Sequence, residues 1–478
     1  MSTKQQAISG GKWITVSTVI STVFQFLQVS ILARLLDPSV FGVVSVSMLI
    51  INFFFIFSNL GFSNSIISKQ ESDPKVLSTL YFLGLILGGT VFLIVYFSAP
   101  LIVDFYDEPR LDKVIKLASL YFIINYLGQI FLFILQKELQ FKSVAIIEII
   151  GTFTGTSIAI TLAFNGFAET SLIIGYLIMH LVKSTLSFLL GRKYFKPSLY
   201  FNIRLINDHL RFGLFNVGDG LLGFIQANAD NIIVGSLLGV TPLGYYTIAY
   251  QLAVFPINKL NPIILQVAYP VLAKMKGNNE ELKNSYIKIL DIISYLNLPL
   301  LAGLFITAES VVPLFYGPGW DNTIPLIKIF VFQSFFGCLA HPLFTLAFTK
   351  GKPNLLFYLN LATLAIKIPL LYFFGTYWQV TGIAFSYLTT TFLSLILNFY
   401  IAHSLIGSFF RDFLANIIKP LSFCLLMVAV IFAYKELIGY VGVVNTGIQI
   451  VLGGVIYLAL TLKFKVSLPE IRTFRQSL

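Results

Sequence analysis

The sequence predicts an all-α polytopic membrane protein of about 14 transmembrane helices. Two pseudo-symmetric six-helix lobes are followed by two C-terminal helices, with both termini in the cytoplasm. Three observations predict this. Hydrophobic residues make up 57% of the 478 residues and charged ones 11%, less than half of the roughly 25% that coats a soluble domain. Apolar runs of about 20 residues, the length that crosses a hydrocarbon core, recur along the whole chain. The loops between them alternate between cation-rich and cation-poor, as cytoplasmic loops collect Lys and Arg.

Span 1, Ile14 to Leu36, starts after Lys4 and Lys12 and carries Arg34 at its outer end. Span 2, Val40 to Ile67, returns to Lys69 and Lys75 inside. Span 3, Leu77 to Val103, leads out to Arg110, Lys113 and Lys116, and span 4, Val114 to Leu135, comes back to Lys137 and Lys142. Spans 5 (Val144 to Phe164) and 6 (Thr170 to Gly191) close this set on the basic segment 192–211. Six more spans follow, namely Phe212 to Leu238, Leu243 to Leu272, Tyr286 to Thr307, Thr323 to Phe348, Leu355 to Phe374 and Val380 to Leu405. The last two are Phe413 to Tyr434 and Thr446 to Leu462. With the N-terminus inside, and with charges near a span end counted with the adjoining loop, 23 of the 32 Lys and Arg fall in cytoplasmic segments and 5 in outer ones, the remaining 4 lying deeper within spans. One missed span would invert every later loop and spoil that bias. The net charge of +11 is therefore a topology signal and not that of a nucleic-acid binder.

The domain reading is 1–191 for the first lobe, 192–211 for a cytoplasmic linker acting as hinge, 212–405 for the second lobe, and 406–478 for spans 13 and 14 with the tail. Internal repetition supports it. An offset of 202 lays Leu35 to Gly42 on Leu237 to Gly244, and matches Gly11 to Gly213 and Asn59 to Asn261. An offset of 211 lays Tyr176-Leu177 on Tyr387-Leu388. Six spans separate the copies, so the repeat is parallel.

Chemistry is read from polar residues inside spans, since such groups avoid lipid. On span 7, Asn216, Asp219, Gly223, Gln226 and Asp230 share one helical face. The equivalent face of span 1 carries Ser17, Ser21 and Gln28, with Gln25 beside it. These stripes line either a water-filled cavity or a packed helix interface bonded through amides and hydroxyls. Span 8 holds Pro256, Lys259 and Pro262 between Gln251 and Gln266, and proline at membrane depth fits a helix that lines a cavity or a neighbour. Lys259 sits at mid-span, where it faces either an anionic ligand or Asp219 or Asp230. Lys183 and Lys367 lie past mid-span, Lys328 and Glu148 read as interfacial, and Arg34 is a gate residue or an anchor. Gln251, Asn59 and Asn261 complete the candidate cavity lining.

Nothing points to an enzyme. There is no phosphate loop with a following Lys-Ser or Lys-Thr, no paired carboxylates, and no CxxC or HxxxH spacing among two Cys and four His. Catalytic residues, a metal, a disulfide and a cleavable signal peptide are not expected.

Ile31-Leu32-Ala33-Arg34-Leu35-Leu36-Asp37-Pro38-Ser39-Val40-Phe41-Gly42, followed by Asn59-Leu60-Gly61-Phe62, resembles the opening of bacterial polysaccharide exporters and O-antigen flippases. Asp230 to Gly235 and Leu243 to Leu252 resemble the start of their second lobe, especially in the colanic acid exporter-like branch. The resemblance implies the multidrug, oligosaccharidyl-lipid and polysaccharide exporter superfamily and the bacterial inner membrane. It implies alternating access for a polyprenyl-diphosphate-linked oligosaccharide. On that expectation Lys259, Lys367, Lys183 and Arg34 hold the diphosphate, and Asp219 and Asp230 couple H+ or Na+. No cofactor is expected, and no nucleic acid. Membrane lipids, a polysaccharide polymerase and assembly proteins are candidate partners. The alternatives are a cation-coupled multidrug antiporter and a non-transporting scaffold of a polysaccharide assembly complex.

Overall fold

In the computed structural model of the protein, residues 3–59, 62–439 and 442–464 are described. The side chains of residues 3–9, 59, 62–64, 210–216 and 219 lie outside that description. The described residues form helices and turns with no strand. Twelve helical stretches among them are long and apolar enough to cross a membrane.

The chain divides into two compact units, Met1–Gly244 and Tyr245–Leu478. The first contains α1 (Thr3–Leu35), α2 (Pro38–Asn59), α3 (Phe62–Ser68), α4 (Pro74–Tyr106), α5 (Arg110–Ala118), α6 (Leu120–Lys137), α7 (Phe141–Phe164), α8 (Ala168–Gly191) and α9 (Asn207–Leu238), and the start of α10 (Val240–Ala253). The second holds the rest of α10, then α11 (Phe255–Lys274), α12 (Asn279–Tyr316), α13 (Thr323–Ala340), α14 (Pro342–Thr349), α15 (Asn354–Ile406), α16 (Phe410–Ile438) and α17 (Val443–Phe464).

Local chemistry sets several boundaries. Pro74 opens α4, and the Asp73 carboxylate accepts from the Lys75 amide at 2.8 Å, which satisfies one of the donors a helix start leaves free. Asn278 caps α12 by accepting from Glu280 and Glu281, whose charges also suit a helix N-terminus. The apolar run expected as one eighth span is broken at Val254 into α10 and α11, just before Pro256, which has no amide hydrogen to continue the ladder. Pro342 divides α13 from α14 in the same way.

Helix α15 has 53 residues, about 80 Å if it were straight, far more than one crossing needs. It is not straight. Trp378 and Gln379 leave helical geometry, with Gln379 at φ 53°. A side chain on Gly382 would lie 2.8 Å from the carbonyl carbon of Phe374. Residues eight apart along a helix cannot meet, so the chain doubles back here as a helical hairpin.

In the first unit α7 packs along both α8 and α1, while α6 packs on α8 and α4. The basic segment after α8 is not a free hinge. Its apolar members Phe195 and Ile206 enter a core with Ile66, Leu77, Leu80, Phe131 and Ile134. Ser198 pairs with Ser78 at 3.1 Å, and the Asn202 amide donates to Thr79. A basic stretch carrying two large apolar side chains buries them where it can, and here the ends of α3, α4 and α6 provide the place.

In the second unit the core runs through α11 to α17 around Tyr286, Leu290, Ile293 and Leu343. The two C-terminal helices are tied to α12 by polar contacts at several depths. Lys435 meets Glu309 at 2.7 Å, Ser310 donates to Gln449 at 3.0 Å, and the Tyr457 hydroxyl donates to the Tyr295 carbonyl at 3.0 Å.

Candidate functional site

The polar stripe of α1 turns toward α7. Ser17 and Ser21 are each 5% exposed, Gln28 accepts from Thr156 of α7 at 2.9 Å, and Phe24 packs edge-on against Phe153. Ser17 donates to its own helix at Ile14. The Ser21 hydroxyl is buried with no hydrogen-bond partner among the described residues. Gln25, on another face, is exposed. Of the two readings left open for this stripe, Gln28 takes the packed interface and Gln25 the accessible face. On α9, Asp230 is fully buried and Gln226 half-buried. The side chains of Asn216, Asp219 and Asn59 lie outside the described residues.

The four candidate cations are placed differently from one another. Lys183 of α8 donates to Glu148 of α7 at 2.8 Å, with Thr152 also reaching that carboxylate. The sequence contained a signal for this pair. Glu148 stands 18 residues before Gly166 and Lys183 stands 17 after it, so two antiparallel helices of equal rise bring them level. Near them Tyr121, Tyr176 and His180 form an aromatic cluster with ring centroids 4.5 to 5.4 Å apart.

Lys367, on the first limb of α15, is 5% exposed. Its ammonium lies 4.0 Å over the ring of Tyr387 on the second limb, an arrangement in which the ring face attracts the cation. Tyr387 in turn shares a hydroxyl contact of 3.1 Å with Tyr250, which stacks near Tyr246 and meets Phe330 edge-on. Tyr387 is the offset partner of Tyr176, so each repeat centres an aromatic cluster on the same position.

Asn261 of α11 is fully buried in the second unit. It donates to the Cys338 carbonyl at 3.2 Å and accepts from Asn297 at 2.9 Å. Its side chain is therefore committed to the packed core and does not line a cavity, because a buried amide needs partners more than it needs space. Lys259 is two residues away, on the other side of the helix by the 3.6-residue period. It is half-buried and, among the described residues of its unit, makes no ion pair. Gln251 of α10 is exposed, and so is Arg34 at the last turn of α1.

Three charged clusters stand apart from these candidates. Glu309 receives Lys328 at 2.6 Å and Lys435 at 2.7 Å, joining α12, α13 and α16. In the first unit, buried His209 bonds Ser65 at 2.6 Å and faces Glu71 at 3.6 Å. Beside the α5 start, Arg110 grips Glu108 with two bonds of 2.9 Å and reaches Ser39 at 3.2 Å. Those bonds hold the Glu108 carboxyl below the usual carboxylate range. Among the described residues no group of His, Cys, Asp and Glu is placed to hold a metal ion.

Residues 31–325 match a family model described as polysaccharide biosynthesis protein. The lipopolysaccharide biosynthesis protein WzxC of Escherichia coli is 30% identical over 88% of this chain and 86% of its own. The teichuronic acid biosynthesis protein TuaB of Bacillus subtilis is 27% identical over 74% and 73%. Among solved structures, the lipid II flippase MurJ in an inward closed conformation superposes with a TM-score of 0.77 at 16% identity, covering 94% of this chain and 98% of that one. At that identity the likeness is one of fold.

Proposed function

Because the chain belongs to the polysaccharide biosynthesis protein family and is a multi-pass protein of the bacterial cytoplasmic membrane, we propose that it moves a polyprenyl-diphosphate-linked oligosaccharide, a polysaccharide repeat unit, across that membrane. The observation that carries this reading is Lys259. A half-buried ammonium without an ion-pair partner among the described residues of its unit, on a helix with Pro256 in its first turn and Pro262 inside it, suits a phosphate that binds and leaves. Lysine is a compact charge on a flexible stem, fitted to a moving anion. Within the first unit, exposed Arg34 is the alternative phosphate contact. Lys367, set on an aromatic ring, and Lys183, already neutralised by Glu148, hold their charge in reserve.

Fourteen spans with both termini inside complete the reading. The hairpin of α15 accounts for two crossings and the α10–α11 pair for one. The two six-helix lobes of the sequence repeat, with spans 13 and 14 appended, alternate access to the cavity. The sugar rests among polar side chains such as Gln25 and Gln226 while the lipid tail stays in the bilayer. Asp219 and Asp230 bind H+ or Na+ and couple its gradient to the return stroke.

The test is transbilayer movement of a defined oligosaccharide-diphosphate lipid in proteoliposomes, with and without proton and sodium gradients. Movement accelerated by a gradient supports the reading. Raised drug resistance in cells without any lipid movement would instead favour an antiporter.

A further inference from the structure

The repeat at offset 202 has a counterpart in space. Gly42 of α2 and Gly244 of α10 are equivalent positions, and so are Pro38 and Val240. A Cβ on Gly42 would run into the Val240 carbonyl oxygen and lie 2.5 Å from its carbon. A Cβ on Gly244 would run into the Pro38 carbonyl oxygen and lie 2.8 Å from its carbon, with the Gly42 nitrogen at 3.3 Å. Each repeat thus sets its glycine against the carbonyl that the other repeat presents at the equivalent position. All four residues belong to the first unit. Real Cβ atoms do not come this close to a backbone carbonyl, so only glycine fits at either place. Close backbone crossings at small residues are a standard means of helix association in membranes, where a Cα–H can also face a carbonyl.

The surroundings fix both sides of the crossing. Arg110, braced by Glu108, bonds Ser39 next to Pro38. Tyr106 packs on Gly235, in the last turn of α9 just before α10. The crossing lies between spans 1 and 2 and between spans 7 and 8, the end that the proposed topology puts outside.

Resting on the transport reading above, we propose that Gly42 and Gly244 form the outer gate: a pseudo-two-fold glycine-to-carbonyl crossing that seals the cavity and must part to release substrate outside. Its reciprocal form explains why the Leu35–Gly42 motif is the best-matched stretch of the repeat. The seal needs glycine at both positions, and any side chain there acts as a wedge.

The test uses Gly42→Val and Gly244→Val, measured for transport as they stand and, for accessibility alone, combined with Gln25→Cys as a reporter on the exposed face of α1. The native Cys338 and Cys424 are buried and stay in place. Gly89→Val is the control, because a Cβ at Gly89 meets nothing within 4 Å. In right-side-out vesicles, labelling of the reporter by a membrane-impermeant maleimide is expected to rise about tenfold in both wedge variants, with transport falling about tenfold, as for a state made inaccessible by a backbone clash. Gly42→Ala and Gly244→Ala, smaller wedges, fall between, and they decide the matter if the valine variants fail to accumulate. Labelling and transport equal to the Gly89→Val control would overturn the gate. If the parent protein moves no oligosaccharide-diphosphate lipid, the substrate reading fails, while the labelling comparison still decides whether the crossing closes the outer side.

Discussion

Lys183 and Glu148 form an ion pair at 2.8 Å between the two arms of the α7–α8 hairpin. One of the mid-membrane cations expected to meet a phosphate is thereby neutralised by its own unit. The side chains are 18% and 40% exposed, so the pair lies between a surface bridge of under 1 kcal/mol and a buried one whose rupture costs several.

Glu148→Gln is accordingly expected to destabilise the protein by about 1–2 kcal/mol, with Lys183→Met costing the same or less. The double variant should recover part of the loss, since no unpaired charge remains. Thermal unfolding in detergent reads all three. A double variant as unstable as the sum of the singles would show that the two residues do not act on each other.

His209 predicts a pH response at the α3–α9 end of the first unit. Burial and the nearby Lys69 push its imidazole below the ordinary value of 6.5, against the opposing pull of Glu71 and Asp208. The folded state therefore holds the neutral ring, while a loosened state takes up a proton below about pH 6.5. The contribution of His209 is fully present above that value and is lost as pH falls toward the depressed folded one. Hydrogen exchange across residues 192–206 should quicken between pH 7.5 and 5.5, and His209→Gln should flatten that response. An unchanged profile in His209→Gln would assign the response to other groups.

The Asn261–Asn297 bond of 2.9 Å is expected to behave as a buried polar network. Asn261→Ala leaves the Asn297 amide and the Cys338 carbonyl short of a partner, at about 1–3 kcal/mol. Adding Asn297→Ala should cost little more, because the partner left behind is then gone as well. Full additivity in detergent unfolding would contradict the network.

Glu309 is the point where α12, α13 and α16 meet. Glu309→Gln weakens two ion pairs together, so protease accessibility of the α16–α17 pair should rise more than with Lys328→Met alone. Equal effects would mean that Lys435 does not anchor α16.

Much of the helical architecture is written in the order of apolar runs, because a 30 Å hydrocarbon layer demands them. The breaks at Val254 and His341 were less legible: hydropathy is blind to a missing amide hydrogen, although Pro256 and Pro342 marked the places. The polar face of α1 followed from a period of 3.6, yet a period cannot say what a face meets, and Gln28 meets Thr156 of α7. Asn261 reads as cavity lining for the same reason, whereas Asn297 and the Cys338 carbonyl enclose it. Lys183 and Glu148 were separable from lipid-facing charges only by counting outward from Gly166 along both helices. The repeat at offset 202 was visible as letters, but the fitting of Gly42 and Gly244 to each other's carbonyls needs coordinates.

The most direct test of the central claim is the initial rate of oligosaccharide-diphosphate lipid movement in proteoliposomes containing parent protein, Lys259→Ala or Lys259→Arg. Loss of one charge-assisted phosphate contact of about 1.5–3 kcal/mol predicts that Lys259→Ala slows movement about tenfold to a hundredfold, with Lys259→Arg retaining most of the rate. Parent and Lys259→Ala moving the lipid at the same rate would contradict the account.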